Sequence, residues 1–193
     1  MEEKLKDPNW LPDFGEPVFN PKLGAIVTGS RFFLIAYNVN IKSNDVKYSK
    51  EIGEILRESG YAKRDENGNI IKVEGKTIKV PGRLKELKGM GVALDKYNIT
   101  QVSMNLTNYN VTPMHIAFEE AKKEAARLGV EVNGSEIVGL VPLEAMMQAG
   151  RFYSNGKESD EKSLVDIAIE KLGLSALHPF KPEKKIIEYM ISF

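Results

Sequence analysis

Apolar and polar positions change period several times along the chain, and each change predicts an element. Residues 31–41 (RFFLIAYNVNI) alternate, with Phe33, Ile35, Tyr37, Val39 and Ile41 on one side and Asn38 and Asn40 on the other, the mark of a strand with one apolar face. Residues 43–60 shift to helical spacing: Val46, Ile52, Ile55 and Leu56 share a side, Ser43 or Asn44 offers an N-cap, Gly60 a stop, and Gly53 weakens the interior. Across 61–80 the alternation is short and broken by Asn67-Gly68, a pair that favours a type I′ turn, so 70–73 and 77–80 are expected to form a small hairpin insertion. Residues 87–94 read as a strand softened by Gly89 and Gly91, followed by a turn at 95–98 and a second strand at 100–106. Thr112-Pro113 looks like an N-cap with Pro at the first helical position, and Met114, Ala117, Phe118, Ala121, Ala125 and Leu128 then recur at helical spacing up to Gly129. Residues 130–132 and 135–141 supply a last strand or a bent pair.

That order, β-α-β-β-α-β, predicts an α+β fold: a ferredoxin-like two-layer sandwich whose two helices cover one face of an antiparallel sheet. Residues 143–150 and 163–172 add C-terminal helices, and 182–191 a further ordered segment. The first 30 residues differ. Pro8, Pro12, Pro17 and Pro21, with Gly15 and Gly24, exclude regular structure, yet Trp10, Leu11, Phe14, Val18 and Phe19 are too apolar for a disordered leader and need a surface to pack on. The expected division is 1–30 as a connecting segment and 31–193 as the folded domain.

Composition narrows the chemistry. The 193 residues are 42% hydrophobic, enough for a real core, and carry 27 basic and 27 acidic residues, so no basic stripe invites nucleic acid. Cysteine is absent, which removes disulfides and thiolate chemistry and fits a cytoplasmic protein. No run approaches the ~20 apolar residues of a membrane span, and the charged start is no signal peptide. The two histidines, His115 and His178, have no triad or metal-ligand spacing around them, and Thr28-Gly29-Ser30 precedes a strand, unlike a phosphate-binding loop. Neither a catalytic residue nor a metal site is expected.

Gln101, Ser103 and Asn105 alternate with Val102, Met104 and Leu106, and Asn38 and Asn40 can join them on the sheet face away from the helices. Such a face is either a solvated surface or a ligand surface built from directional amides. Arg83, between Pro81-Gly82 and Lys85, is a candidate for meeting a carboxylate, whereas Lys85 and Lys88 read as surface charges.

Several segments, in order, resemble the formiminotransferase domain family: DPNWLPDFG at 7–15, GAIVTGSRFFLIAYNVNI at 24–41, PGRLKELKGMGVALD at 81–95, QVSMNLTNYNVTPMHIAFEEAKKEA at 101–125, NGSEIVGLVPLEAM at 133–146 and LGLSALHPFKPEKKIIEYMI at 172–191. The resemblance implies transfer of a formimino group from N-formimino-L-glutamate to tetrahydrofolate as co-substrate, giving 5-formimidoyltetrahydrofolate and L-glutamate in histidine degradation. It also implies two ferredoxin-like subdomains around a folate tunnel, of which these residues form the C-terminal one. The family's folate-contacting segment corresponds to Gly15, Glu16, Pro17, Val18, Phe19, Asn20, Pro21, Lys22, Leu23 and Gly24; Gly15, Phe19, Pro21 and Gly24 match its pattern, and Glu16, Val18 and Lys22 do not. The tunnel lining would include Asn38, Asn40, Gln101, Ser103 and Asn105, with Arg83 a further candidate. The family's acid–base histidine stands in a His-Pro-Arg-Met-Gly motif of the N-terminal subdomain, and these residues contain no such motif. A partner N-terminal subdomain, in cis or as a separate subunit, is therefore expected, with a non-catalytic folate-binding module as the alternative. The surface left for that partner is expected to be apolar, which also favours a homo-oligomer.

Overall fold

The alternation at the start of the folded domain becomes strand β1 (Ile35–Ile41), which buries Ile35, Tyr37, Val39 and Ile41 completely. A computed structural model describes residues 2–26 and 28–191, and the chain divides into two compact units, Met1–Arg31 and Phe32–Phe193. β1 begins four residues later than the alternation suggests. Its first register pair, Ile35 with Leu106, is also the last of the neighbouring strand, so Phe32 and Phe33 have no ladder to join and stay more than half exposed.

Helix α1 (Val46–Leu56) follows, capped by Asp45, whose carboxylate accepts from the Lys47 N–H at 3.0 Å; Ser43 instead accepts from the Asp45 N–H. Four short strands, β2 (Tyr61–Ala62), β3 (Lys72–Val73), β4 (Lys76–Thr77) and β5 (Lys79–Val80), form the expected ribbon, with β2 pairing β5 and β3 pairing β4. The type I′ turn sits elsewhere than expected. Glu74 and Gly75 both have positive φ and connect β3 to β4, whereas around Asn67-Gly68 only Gly68 does. There the Asp65 carboxylate holds the loop by accepting from the Asn67 and Asn69 N–H groups.

Strands β6 (Leu87–Leu94) and β7 (Ile99–Leu106) make the predicted hairpin, turned by a left-handed Asn98. Helix α2 (Met114–Arg127) lacks the predicted cap, because the Thr112 hydroxyl donates to the Lys85 carbonyl at 2.6 Å and Pro113 takes the cap position. Strand β8 (Val132–Val138) completes a four-stranded antiparallel sheet of order β6-β7-β1-β8, the ferredoxin-like arrangement. Appended helices α3 (Leu143–Tyr153) and α4 (Glu161–Lys171), then two single turns, α5 (Pro182–Lys185) and α6 (Ile187–Met190), end the chain; Val141 bridges Ile186.

Glycines set the spacing of the layers. A Cβ on Gly91 of β6 would fall 2.3 Å from the Lys50 nitrogen, and one on Gly53 would meet the Met90 backbone at 3.0 Å, so α1 lies directly on β6. The glycines that weaken both elements on propensity scales are what let them touch. A second contact joins Gly134 of β8 (φ +77°) to Gly173 (φ +60°), after α4: a Cβ on Gly134 would lie 2.5 Å from the Gly173 carbonyl oxygen. Tyr37 ties the same region from beneath. Its hydroxyl donates to Ser135 Oγ at 2.9 Å, and Ser135 donates to the Leu172 carbonyl at 2.6 Å. Among the described residues no helix is long and apolar enough to cross a membrane.

His115, in the first turn of α2, is nearly buried and stacks on Phe152 of α3 with ring centroids 4.4 Å apart. Its Nδ1 has no hydrogen-bond partner among the described residues. Burial lowers its pKa from the ordinary histidine value, with the Glu119 carboxylate opposing the shift. The unfolded chain therefore takes up a proton that the folded protein resists, so stability falls as pH drops through the ordinary histidine range.

Two outcomes are expected. Gly134→Ala combines a left-handed backbone with a backbone clash and should cost roughly 2–5 kcal/mol in urea unfolding; a loss within the noise would contradict the packing described. His115→Phe should flatten the loss of denaturation midpoint between pH 7.5 and 5.5 relative to the wild type.

Candidate functional site

Because β1 is interior to the sheet, its second face carries Asn38 and Asn40 into a region where each amide must find a partner. The register arranges this face in rows across the strands. Met90, Ser103, Asn38 and Glu136 form one row, Val92, Gln101 and Asn40 a second, and Lys88, Asn105, Ala36 and Val138 a third. Five of the residues picked out by alternation, Asn38, Asn40, Gln101, Ser103 and Asn105, thus share one face. Glu136 joins them, although the sequence reading passed over it; the alternation of Glu136 and Val138 against Ser135 and Ile137 carries that signal.

The amides are connected. Asn40, fully buried, donates from Nδ2 to the Asn133 carbonyl at 3.2 Å. That leaves its Oδ1 to accept from Gln101 Nε2 at 2.8 Å, and the same nitrogen lies 3.2 Å from Glu136 Oε2. Gln101 Oε1 in turn accepts from Asn38 Nδ2 at 3.3 Å. The Asn133 carbonyl is available because the β1–β8 register shifts between Val39 and Ile41, and the Ser135 N–H donates out of the ladder to the Gly173 carbonyl. The glycine contact thus fixes a bulge, and the bulge fixes the amides. Around this polar centre Met90, Val92 and Val138 are exposed, Met90 by 59%, giving the face an apolar rim.

Arg83 is not brought to this face. Its guanidinium lies 2.6 Å from Glu124 on α2, a carboxylate that Arg127 also holds at 2.7 Å. These groups line a 640 Å³ cleft between α1, α2 and the ribbon, with Lys47, Lys50 and Arg64 on its rim. Lys85 pairs with Glu58 on the surface. His178 meets the Tyr97 hydroxyl at 2.8 Å and is likewise outside the amide face. Among the described residues no three His, Asp or Glu side chains gather as metal ligands would.

Within the first unit, residues 15–24 form a loop closed on itself. The Gly24 N–H donates to the Asn20 carbonyl at 2.8 Å, and the Asn20 side chain accepts from the Lys22 and Leu23 N–H groups. Gly15 and Gly24 both have positive φ, which side chains resist. Phe19 is half-buried, whereas Val18 and Leu23 are exposed. Residue 27, just beyond, lies outside the described residues.

Residues 36–192 match the sequence profile of the formiminotransferase domain. The formimidoyltransferase-cyclodeaminase of Dictyostelium discoideum is 49% identical to this chain over 195 residues, covering 99% of the chain and 33% of the relative. The mouse protein of the same name is 41% identical over 194 residues, with the same coverage. The glutamate formimidoyltransferase of Thermoplasma acidophilum is 36% identical over 171 residues, 89% of this chain and 49% of that one. The chain thus spans about a third of the length of the first of these relatives. With an amide-lined sheet face in a ferredoxin-like domain and a profile match running through all four of its main strands, the chain belongs to the formiminotransferase domain family.

Proposed function

We propose that these residues provide the C-terminal part of a glutamate formimidoyltransferase, supplying a binding and orienting surface for tetrahydrofolate and N-formimino-L-glutamate. The amide row on β1 and β7 carries this reading. Buried, mutually bonded amides of fixed direction suit the recognition of a polar substrate better than a freely solvated sheet does. Residues 15–24 serve as the folate-contacting segment, where Phe19 offers a flat face to the pterin or benzoyl ring and the loop's remaining backbone groups can meet pterin edges. Asn38, Ser103 and Asn105 line the substrate side, and the buried Asn40 and Gln101 orient Asn38 from within.

The transfer itself needs a proton acceptor and donor near the reacting nitrogen. His115 does not fit that role, being stacked on Phe152 between α2 and α3. The acid–base histidine belongs, on this reading, to an N-terminal subdomain acting in cis or as a separate subunit. Binding by this chain would then contribute through orientation, which only accelerates the reaction once both parts are together.

Purified residues 1–193 should show no formimino transfer to tetrahydrofolate alone, and should gain it when combined with an N-terminal subdomain carrying the histidine. Transfer by the chain alone would overturn the division of labour. In the combined protein Phe19→Ala should raise the KM for tetrahydrofolate by roughly tenfold, the scale of one lost aromatic stacking contact.

A further inference from the structure

The hydrogen bonds across the sheet face have a direction, and the direction determines what the face can hold. A carbonyl can only accept, so the Asn133 carbonyl orients the Asn40 amide with Nδ2 toward it and Oδ1 away. Asn40 Oδ1 and the Glu136 carboxylate then both call for a donor, and Gln101 must turn its Nε2 to them. Gln101 Oε1 is left to accept from Asn38 Nδ2. The chain of choices ends at Asn38 Oδ1, which accepts nothing among the described residues and is not among the fully buried unpartnered atoms. Directly across the β1–β8 register from Asn38 stands Glu136. It is half-buried, and no Lys or Arg pairs with it among the described residues.

The face therefore presents two acceptors side by side, one of them a carboxylate, beside an apolar rim of Met90 and Val138. Resting on the function proposed above, the geometry points to Glu136 and Asn38 as the specificity-determining pair that selects a cationic amidine over a neutral amide. A formimino group is an amidine, protonated at neutral pH, and carries N–H donors on both nitrogens with the charge spread between them. A carboxylate and an amide oxygen complement it. The formyl analogue replaces one nitrogen with a carbonyl oxygen, which would meet the same acceptors with like polarity and no charge to offset it. Discrimination arises from the relay: Asn40 Oδ1 and Glu136 both hold Gln101 Nε2, so Gln101 Oε1 takes Asn38 Nδ2 and the outward group is an acceptor.

Two measurements test this separately from the proposed function. In 15N-labelled residues 1–193, formamidinium chloride should shift the side-chain amide resonances of Asn38 and Gln101, whereas formamide should not. Glu136→Gln should abolish the response, and Glu136→Asp should keep part of it; unchanged backbone resonances in both variants establish that the fold is intact. Equal shifts with formamide, no shift with either probe, or a response that survives Glu136→Gln would each overturn the inference, whatever the chain's activity. In the combined, transfer-competent protein, Glu136→Gln should raise the KM for N-formimino-L-glutamate by roughly tenfold or more, the scale of a charge-assisted hydrogen bond. Inhibition by N-formyl-L-glutamate should hold or tighten, because the variant removes the repelling carboxylate, and the KM for tetrahydrofolate should stay unchanged. An equal loss for the formimino and formyl compounds would reduce Glu136 to a structural residue. Absence of transfer from the combined wild-type protein would count against the proposed function, and the amide resonances would still decide the inference.

Discussion

The structure depends on one constraint: β1 lies inside the sheet and is buried on both faces, so its two asparagines must be hydrogen-bonded within the protein. An unpartnered amide there would cost about 1–3 kcal/mol. Asn40 is satisfied only because β8 bulges at Asn133 and Gly134 and brings a main-chain carbonyl into reach. The bulge in turn needs a left-handed residue without a side chain, pressed against a second such residue at Gly173. Tyr37 and Ser135, on the other face of the same strands, tie the bulge to the end of α4. Two glycines without contact to the amides themselves thus hold the polarity of the amide face in place.

The two layers divide the charge of a chain with none overall. On the helix side, Glu51, Arg127, Glu124 and Arg83 form a continuous chain of ion pairs, with Glu124 almost wholly buried between two arginines. Arg83 is committed to that chain. Removing either arginine would leave the buried carboxylate undercompensated, so a structural role accounts for a residue whose sequence context suggested a ligand. On the sheet side Glu136 has no such partner among the described residues, and the dominant groups are neutral amides. Ion pairs hold the helix side, and Asn38 Oδ1 and Glu136 are the acceptors at the centre of the sheet face.

This asymmetry supports the role proposed above, in which the domain binds and orients and proton transfer falls to a separate subdomain. An amide network is a poor acid or base but a good template, because its members cannot rotate independently. The apolar rim of Met90, Val92 and Val138 would strengthen polar contacts made at the centre once a second surface covers it. In the proposed assembly the N-terminal subdomain brings both the cover and the histidine.

The sequence by itself determined the element order, because period changes mark where a strand becomes a helix, and the order leaves few topologies for two helices and four strands. It also determined which residues share the amide face, since β alternation is strict along Ile99–Leu106 and Ile35–Ile41. Boundaries moved where a partner decided them: β1 starts at Ile35 because β7 ends at Leu106, and the tight turn falls at Glu74-Gly75 because pairing of Val73 with Lys76 demands it. The fates of Thr112 and Arg83 rested on Lys85 and Glu124, distant in the chain and adjacent in space. Glu136 entered the site through its register with Asn38, and the direction of the amides came from a carbonyl at a bulge together with the Glu136 carboxylate. Local patterns record what each residue prefers, whereas only the packed structure decides which partner a polar group meets, because hydrogen bonds are satisfied by proximity in space.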